Sequence, residues 1–594
     1  MNTFNATANR AVQLCAGCLG AVFLFSGVAY LCLGHWPVTH HDFWRIYDVC
    51  LNHSWLESAL RKHNGHSLFF PSLIWLADLR FFHGNQQVVF YVGLILLVIA
   101  TGLLLIPVWR DNTVDFTAKI IATLVVIVGN FWMGRAHITA SGGFNCNASL
   151  MMTGAEVSFI CLPFMHPHSA RFWPATFAVI AGGFVASFSF GVGLATWPVL
   201  LLLAWSLRLP WRSFVLITVA AVAAAIVFLL LPPHVRGPAG LRTLGISVAT
   251  PTLELSYLCW LLSAPIFNAA FYWRVPGSTG ILPSFFALMF GMVALVVAGR
   301  EIVCTVIRRD LARSTLGLIG LALIAFNLTA MALIVFGRSD HFGTMPFELF
   351  APRYFFHSTL FWMGLLLVAI QRGGSTSWVR WPVYLLVLAV SLLALPSHYK
   401  DGIRWRQVKD RAEAAATSPV NGVRDDQQTR ILSPAEGMDW IYRVAEQLKQ
   451  SRLDMFAEGL QDWIGLTEST LFNGRHRPEG LRGRCRITGT VPSDHGEPAA
   501  RIAGVAWTKR KTVPKNLVII NPAGIVCGVA RASANPSFTN RIFYLNKFAR
   551  NMGFLGYIRN YDPTLQYTIR SADGGALSDE KILVPPASSP PDSQ

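Results

Sequence analysis

Residues 35–84 read HWPVTHHDFWRIYDVCLNHSWLESALRKHNGHSLFFPSLIWLADLRFFHG. They hold seven of the chain's 16 histidines, and Asp42, Asp48, Glu57 and Asp78, four of the 12 acidic residues before position 401. A carboxylate can take a proton from a hydroxyl, and a cation or metal can steady a departing phosphate. Asp42 is the candidate general base. It also precedes Phe-Trp-Arg-Ile-Tyr, so a helix N-cap is the competing role. Asp48, further along the same stretch, is the second catalytic candidate. His40, His41, His63 and His66 offer, with Asp42, nitrogen and oxygen ligands for a divalent metal, although no ligand set is assigned. His63 and His66, three apart, share a face if that segment is helical. The competing role for His66 is a hydrogen bond to a phosphate oxygen. Asn64 and Asp78 complete the polar set of this stretch.

Two further positions stand out. Arg353-Tyr354 opens an apolar run after a polar segment with Asp340, His341 and Glu348. A guanidinium pairs two phosphate oxygens at once, while the plainer role is an anchor at the membrane interface with Tyr354 in the aromatic belt. Glu156 is the one acid well inside an apolar run, where an ionisable group marks function by default. It would pair with Arg135 or line a cavity. Gly191-x-Gly193 reads as a tight turn between helices, since no strand precedes it to make a phosphate loop.

These residues need elements to hold them. The chain has 594 residues, 53% of them hydrophobic and 14% charged, too apolar for a soluble protein of this length. The stretch 35–84 sits between runs 11–33 and 88–109, each long enough to cross a bilayer. Further runs follow at 118–133, 149–165, 173–188, 190–207, 213–231, 253–273, 279–299, 314–336, 355–370 and 381–397. The formal charge is +17, but the basic residues fall in short turns between apolar runs. That is the pattern of cytoplasmic loops rather than of a nucleic-acid partner. Placing the turns at 110–119, 208–212, 300–313 and 372–380 on one side requires run 253–273, broken by Pro265, to be re-entrant or interfacial. The expectation is 11 spans, the N-terminus inside, and everything after about residue 398 outside. Run 11–33 lacks a small-residue cleavage site and reads as a retained anchor. Cys15-Ala-Gly-Cys18 lies within it and reads as packing.

After residue 398 the composition turns polar. Ser433-Pro-Ala-Glu436 is a helix start, and that helix should reach about Gln450. From Arg484 the period switches to two, with strand-like runs at 485–491, 501–507, 517–520, 525–530 and 567–570, and a turn at Asn521-Pro-Ala-Gly524. The fold class expected is an α-helical polytopic membrane protein with an extracytoplasmic, β-rich C-terminal domain. The boundaries are 1–398 for the membrane part with its outer loop 35–84, 399–450 for a helical linker, 451–584 for a β-sandwich-like domain and 585–594 for a disordered tail. Cys485 and Cys527 fall in outer strands, where a disulfide and two free thiols are both allowed.

The order of these features resembles the GT-C-type glycosyltransferases, in particular poorly characterised bacterial members. Their first outer loop reads roughly N-E-H-R-I…P-x-L…D, with R-Y…F-W late in the membrane part. The counterparts here are Asn64-Gly65-His66-Ser67-Leu68, Pro71-Ser72-Leu73, Asp78, and Arg353-Tyr354 followed by Phe361-Trp362. The usual Glu and Arg of the loop are Gly65 and Ser67. The resemblance implies transfer of a sugar from a polyprenyl-phosphate carrier to a glycan, lipid or protein acceptor on the outer face of a bacterial inner membrane. Asp42 or Asp48 would then serve as base. His41, His63, Asn64, His66, Asp78, Glu156, Arg353 and Tyr354 would be substrate contacts. The competing functions are a surface-glycan polymerase or ligase, a transporter or flippase, and an anchored receptor. Paired broken helices would favour transport, and one broken segment is seen.

Overall fold

The structure is a computed structural model describing residues 2–166, 169–232, 250–271, 281–308, 314–374, 379–433, 437–473, 480–493, 496–508, 514–533, 552–572 and 582–584. The expected tail at 585–594 lies outside these residues. In chain order come α1 (Asn2–Gly34), α2 (Phe43–Asn52), α3 (Trp55–Leu60), the strands β1 (Lys62–His63) and β2 (His66–Ser67), and α4 (Phe69–Phe81). Then follow α5 (Gln87–Arg110), α6 (Phe116–Phe131), α7 (Ala136–Thr139), α8 (Gly142–Cys161), α9 (Phe172–Ser189), α10 (Thr196–Ser206) and α11 (Trp211–Leu230). The apolar helices continue with α12 (Pro251–Phe271), α13 (Ile281–Arg308), α14 (Thr315–Gly337), the short α15 (Ser339–Thr344), α16 (Phe355–Gly374) and α17 (Arg380–Ala415). The chain divides into two units, one of Met1–His35, Trp55–Ile74 and Val89–Trp405, the other of Trp36–Ser54, Trp75–Val88 and Arg406–Gln594. The stretch 35–84, expected as one outer loop, is thus shared between them.

The first unit is a helix bundle, and the protein is a multi-pass membrane protein. Among the described residues ten helices are long and apolar enough to span. Two of the interfaces rest on glycine: a Cβ on Gly182 would stand 2.5 Å from the Gly154 carbonyl, and one on Gly364 2.7 Å from that of Gly320. Only glycine lets α8 meet α9, and α14 meet α16, at that separation. Asp115 caps α6 by accepting from Ala118 N at 2.7 Å, and Ser314 caps α14 through Gly317 N at 3.0 Å. Three of the basic turns meet at one end of the bundle. Asp111 accepts from Ser314 Oγ and Leu316 N, Arg372 Nε donates to Glu301 at 2.6 Å, and Arg380 lies 3.6 Å from Asp115.

Within run 253–273 the described residues, to Phe271, are continuous helix, not broken: α12 carries Pro265 inside it, as helices in apolar surroundings tolerate. Glu254 at its start accepts from Ser339 Oγ, just beyond α14, the opposite end of that helix from the basic turns. Its later residues Ala264 and Ala269 pack in one cluster with Trp132, Phe350 and Phe355, which flank that same end. With α8 and the shorter α10 added to the ten, the described helices give eleven traverses without α12 and twelve with it.

The second unit is built on the helices α18 (Thr417–Val420), α19 (Asp426–Leu432), α20 (Met438–Gln450) and α21 (Glu468–Phe472), and on one antiparallel sheet. Its strands are β3 (Leu481–Pro492), β4 (Pro498–Thr508), β5 (Asn516–Ile520), β6 (Val526–Ser533), β7 (Gly553–Ile558), β8 (Thr568–Ser571) and β9 (Ile582–Leu583), in the order β3-β4-β7-β6-β5-β8-β9. This is one sheet rather than the expected sandwich. Ala500, Ile502, Ala506, Leu517, Ile519 and Ala530 build the core on one face, and the sheet curls until Cys485 Sγ of β3 lies 3.4 Å from the Leu583 carbonyl of β9. On the other face Tyr557 is covered by Val423 and the segment around it, not by a second sheet. There Asp425 accepts from Tyr557 Oη at 2.8 Å and pairs with Arg501 at 2.9 Å. The turn at 521–524 is present, with Gly524 at φ +74° and Asn521 Oδ1 accepting from Ala523 N and Ile525 N.

α20 begins at Met438 behind Gly437, later than the Ser433 start the sequence suggests; residues 434–436 lie outside the described set. Its buried Ile441, Tyr442, Val444, Ala445 and Leu448 keep the helical period. Cys485 and Cys527 are free thiols, and burial pushes them up to about 11 and about 12.

Candidate active site

In the second unit the chain turns sharply before Asp42. His41 has φ +50°, a conformation a non-glycine residue adopts only when its surroundings impose it. Its N–H donates to the Leu432 carbonyl at 2.7 Å, and its ring lies 5.7 Å from that of Trp36. Asp42 then occupies the N-cap position of α2. Its carbonyl accepts from Arg45 N and Ile46 N, but its carboxylate makes no capping bond, so the cap expectation holds for the backbone only. Asp42 is half-buried.

The other acids of α2 and α4 hold the fold. Asp48 accepts from Asn52 Nδ2 at 2.9 Å and from Trp440 Nε1 at 3.1 Å, with Arg443 3.6 Å away, which ties α2 to α20. Asp78 is fully buried and accepts from Gln86 N at 3.1 Å. Burial, with a contribution from Asp454, pushes its carboxyl up to about 7. Asp454 itself, φ +55°, receives Thr39 N on both oxygens at 3.1 and 3.0 Å, and burial pushes it up to about 6. A carboxyl whose folded pKa is raised adds stability while it stays protonated, and that contribution is lost as pH climbs from about 4 to about 7. The second unit should therefore unfold at a lower temperature at pH 8 than at pH 5. Asp78→Asn, which can still accept from Gln86 N, should raise the pH 8 midpoint and flatten the dependence. Calorimetry showing the same slope in variant and parent would remove Asp78 as its source.

In the first unit His63, Asn64 and His66 form a hairpin, not a helix. Asn64 (φ +47°) and Gly65 (φ +78°) are the two left-handed residues of a tight turn, and His63 pairs across it with His66. Asn-Gly is the strongest short hairpin signal, and the departure of Gly65 from the loop pattern has this cause. His66 stacks on Phe190 at 4.4 Å, and its Nδ1 would stand 2.6 Å from a Cβ on Gly191. That contact explains the first glycine of the 191–193 turn. The second is explained by Ala186 O, 1.9 Å from a Cβ on Gly193. Among the described residues no three His, Cys, Asp or Glu side chains gather as metal ligands, because the four histidines are divided between the turn before α2 and this hairpin.

Arg353 and Tyr354 lie in a short turn leading into α16. Arg353 Nη2 donates to Glu348, its guanidinium lies over the Tyr354 ring at 5.1 Å, and its buried Nε has no partner. Arg338 approaches the same tyrosine from another side, donating to Oη at 2.9 Å. Burial, then Arg353, holds His341 below the usual histidine range. His341 belongs to the polar segment noted in the sequence, whereas Arg338 was not singled out there; its signal is Arg-Ser-Asp-His directly after an apolar run. Glu156 is deeply buried beside Arg135, which donates to Gly129 O at 2.6 Å and lies over Phe356 at 4.3 Å. Glu156 Oε2 and Arg135 Nε have no hydrogen-bond partner. Thus the structure groups Arg353 with Tyr354, His63 with Asn64 and His66, and His41 with Asp42. It leaves Asp48, Asp78 and Glu156 in other surroundings.

No protein-family model matches the chain, and no curated protein does. Three solved structures resemble it. One is the archaeal oligosaccharyltransferase AglB from Archaeoglobus fulgidus with an inhibitory peptide and a dolichol-phosphate, at 13% identity and TM-score 0.33. It covers 70% of this chain, which spans 58% of that protein. The others are ArnT from Cupriavidus metallidurans, apo and bound to undecaprenyl phosphate, at 15% identity and TM-scores 0.33 and 0.34, covering 79% of this chain and 92% of ArnT. These neighbours are glycosyltransferases of the GT-C type, the class the sequence resembles. At these identities and TM-scores the likeness assigns no role to any residue of this chain.

Proposed function

We propose that this protein is a membrane glycosyltransferase that moves a sugar from a polyprenyl-phosphate donor to an acceptor on the outer face of a bacterial inner membrane, with the second unit in the periplasm. The observation that carries the reading is the guanidinium of Arg353. It is held by Glu348 and Tyr354 with its Nε unpaired, and a pre-oriented planar fork of this kind suits a phosphate oxygen. Arg353, Tyr354 and Arg338 contact the donor phosphate, and His66 supports as a donor. Asp42 takes the proton from the acceptor hydroxyl as the sugar carbon–phosphate oxygen bond breaks and the new glycosidic bond forms. Asp48 and Asp78 act by holding the fold around Asp42.

The test uses purified protein in proteoliposomes with a radiolabelled polyprenyl-phosphate sugar and a cell-envelope extract as acceptor. Label should leave the lipid for the acceptor, with release of polyprenyl phosphate. Label that crosses the bilayer still attached to its lipid would instead establish a flippase.

A further inference from the structure

β3 carries Arg482, Arg484 and Arg486 at alternate positions, all three exposed. A strand's period of two puts them on one face. Its other face points Leu481, Cys485 and Ile487 into the sheet core. The register sets the arginines opposite Trp507, Val505 and Ala503 of β4, and Ala503 in turn opposite Leu555 of β7. Those four are half-buried, so the face is a row of three guanidiniums beside a low apolar strip.

β3, β4 and β7 contain no Asp or Glu. The same face has two more arginines, and both are paired: Arg501 with Asp425 at 2.9 Å, Arg531 with Glu458 at 2.8 Å. The fold therefore pairs the cations it covers, while Arg484 and Arg486 of the β3 row carry no ion pair among the described residues. A charged edge strand also deters edge-to-edge pairing, but that purpose is served by either sign and best by lysine. Three arginines and no other charge in β3 is a narrower choice.

We propose that this face binds a linear polyanionic glycan, one with carboxylate or phosphate groups repeated along its chain. Side chains two apart on a strand stand roughly 6.7 Å from each other. They form a row and do not converge on a point, so they match repeated charges better than one isolated anion. Each guanidinium can take two oxygens of one group, and the Trp507–Val505–Leu555 strip suits the carbon faces of sugar rings. The inference deepens the proposed function by naming the acceptor's class, and only the word acceptor rests on that reading.

The experiment uses the full chain in nanodiscs of neutral lipid. Probes are polygalacturonate, neutral dextran of equal length, inorganic phosphate, and vesicles with anionic lipid. Polygalacturonate should bind and dextran should not. The triple variant Arg482→Gln/Arg484→Gln/Arg486→Gln should weaken polygalacturonate binding at least ~10-fold, and lower the slope of log affinity against log salt by about 2. Arg484→Lys keeps the charge without the fork and should fall between. An unchanged melting profile controls for folding. Equal binding by the triple variant overturns the proposal. So does full displacement by millimolar inorganic phosphate, or by anionic vesicles, which would make a lipid surface the partner. In transfer assays the triple variant should keep activity on a short neutral acceptor and lose it on a polyanionic one. Absence of transfer by the parent protein on any acceptor would remove the glycosyltransferase reading while the binding results stand by themselves.

Discussion

Asp42→Asn is expected to reduce sugar transfer by roughly 10²–10⁴-fold, the usual cost of losing a general base. Asparagine keeps the size of the side chain and most of its hydrogen bonding, and α2 does not depend on the Asp42 carboxylate for its cap. The variant should fold, insert and bind donor like the parent, so the loss should lie in kcat. Asp48→Asn is the informative contrast. It weakens the link to Trp440 and Arg443, so its main effect should be a lower melting temperature. Near-full transfer by Asp42→Asn in membranes would leave Asp42 a backbone position only, and the base would have to be sought elsewhere.

Arg353→Ala is expected to act on the donor instead. Hydrogen bonds from a charged group contribute about 1.5–3 kcal/mol each, so donor binding should weaken by roughly 10–150-fold. Arg353→Lys should recover part of this, because an ammonium keeps the charge but not the fork. One internal check separates loss of charge from local collapse. Arg353 is part of what holds His341 down, so removing it should move the His341 titration upward by NMR. A His341 that does not move, together with unchanged donor affinity, would rule out this cluster as the phosphate contact.

The membrane part was legible because length, apolarity and Arg-bearing turns are strong, redundant signals. What was hidden depended on contacts between distant residues. His63 and His66 looked like neighbours on a helix, although Asn64-Gly65 between them carries the signature of a tight turn. β7 was missed since Gly553 and Gly556 dilute its strand signal. Gly556 is required because a Cβ there would stand 2.2 Å from that of Ala530. The role of Asp48 was unreadable because Trp440, which donates to its carboxylate, lies several hundred residues away.

That separation sets an order of assembly. Thr39 N is held by the Asp454 carboxylate, 415 positions later in the chain. At about 5–20 residues per second, a ribosome reaches Asp454 roughly 20–80 s after Thr39 has been made. During that interval Trp36, Phe43, Trp44 and Tyr47, all buried in the finished protein, have no partner from the C-terminal segment. The early segment must wait for that partner. A chain cut short before Asp454 would leave Thr39 N without its acceptor, and a fragment begun at residue 406 would lack the helix on which α20 rests.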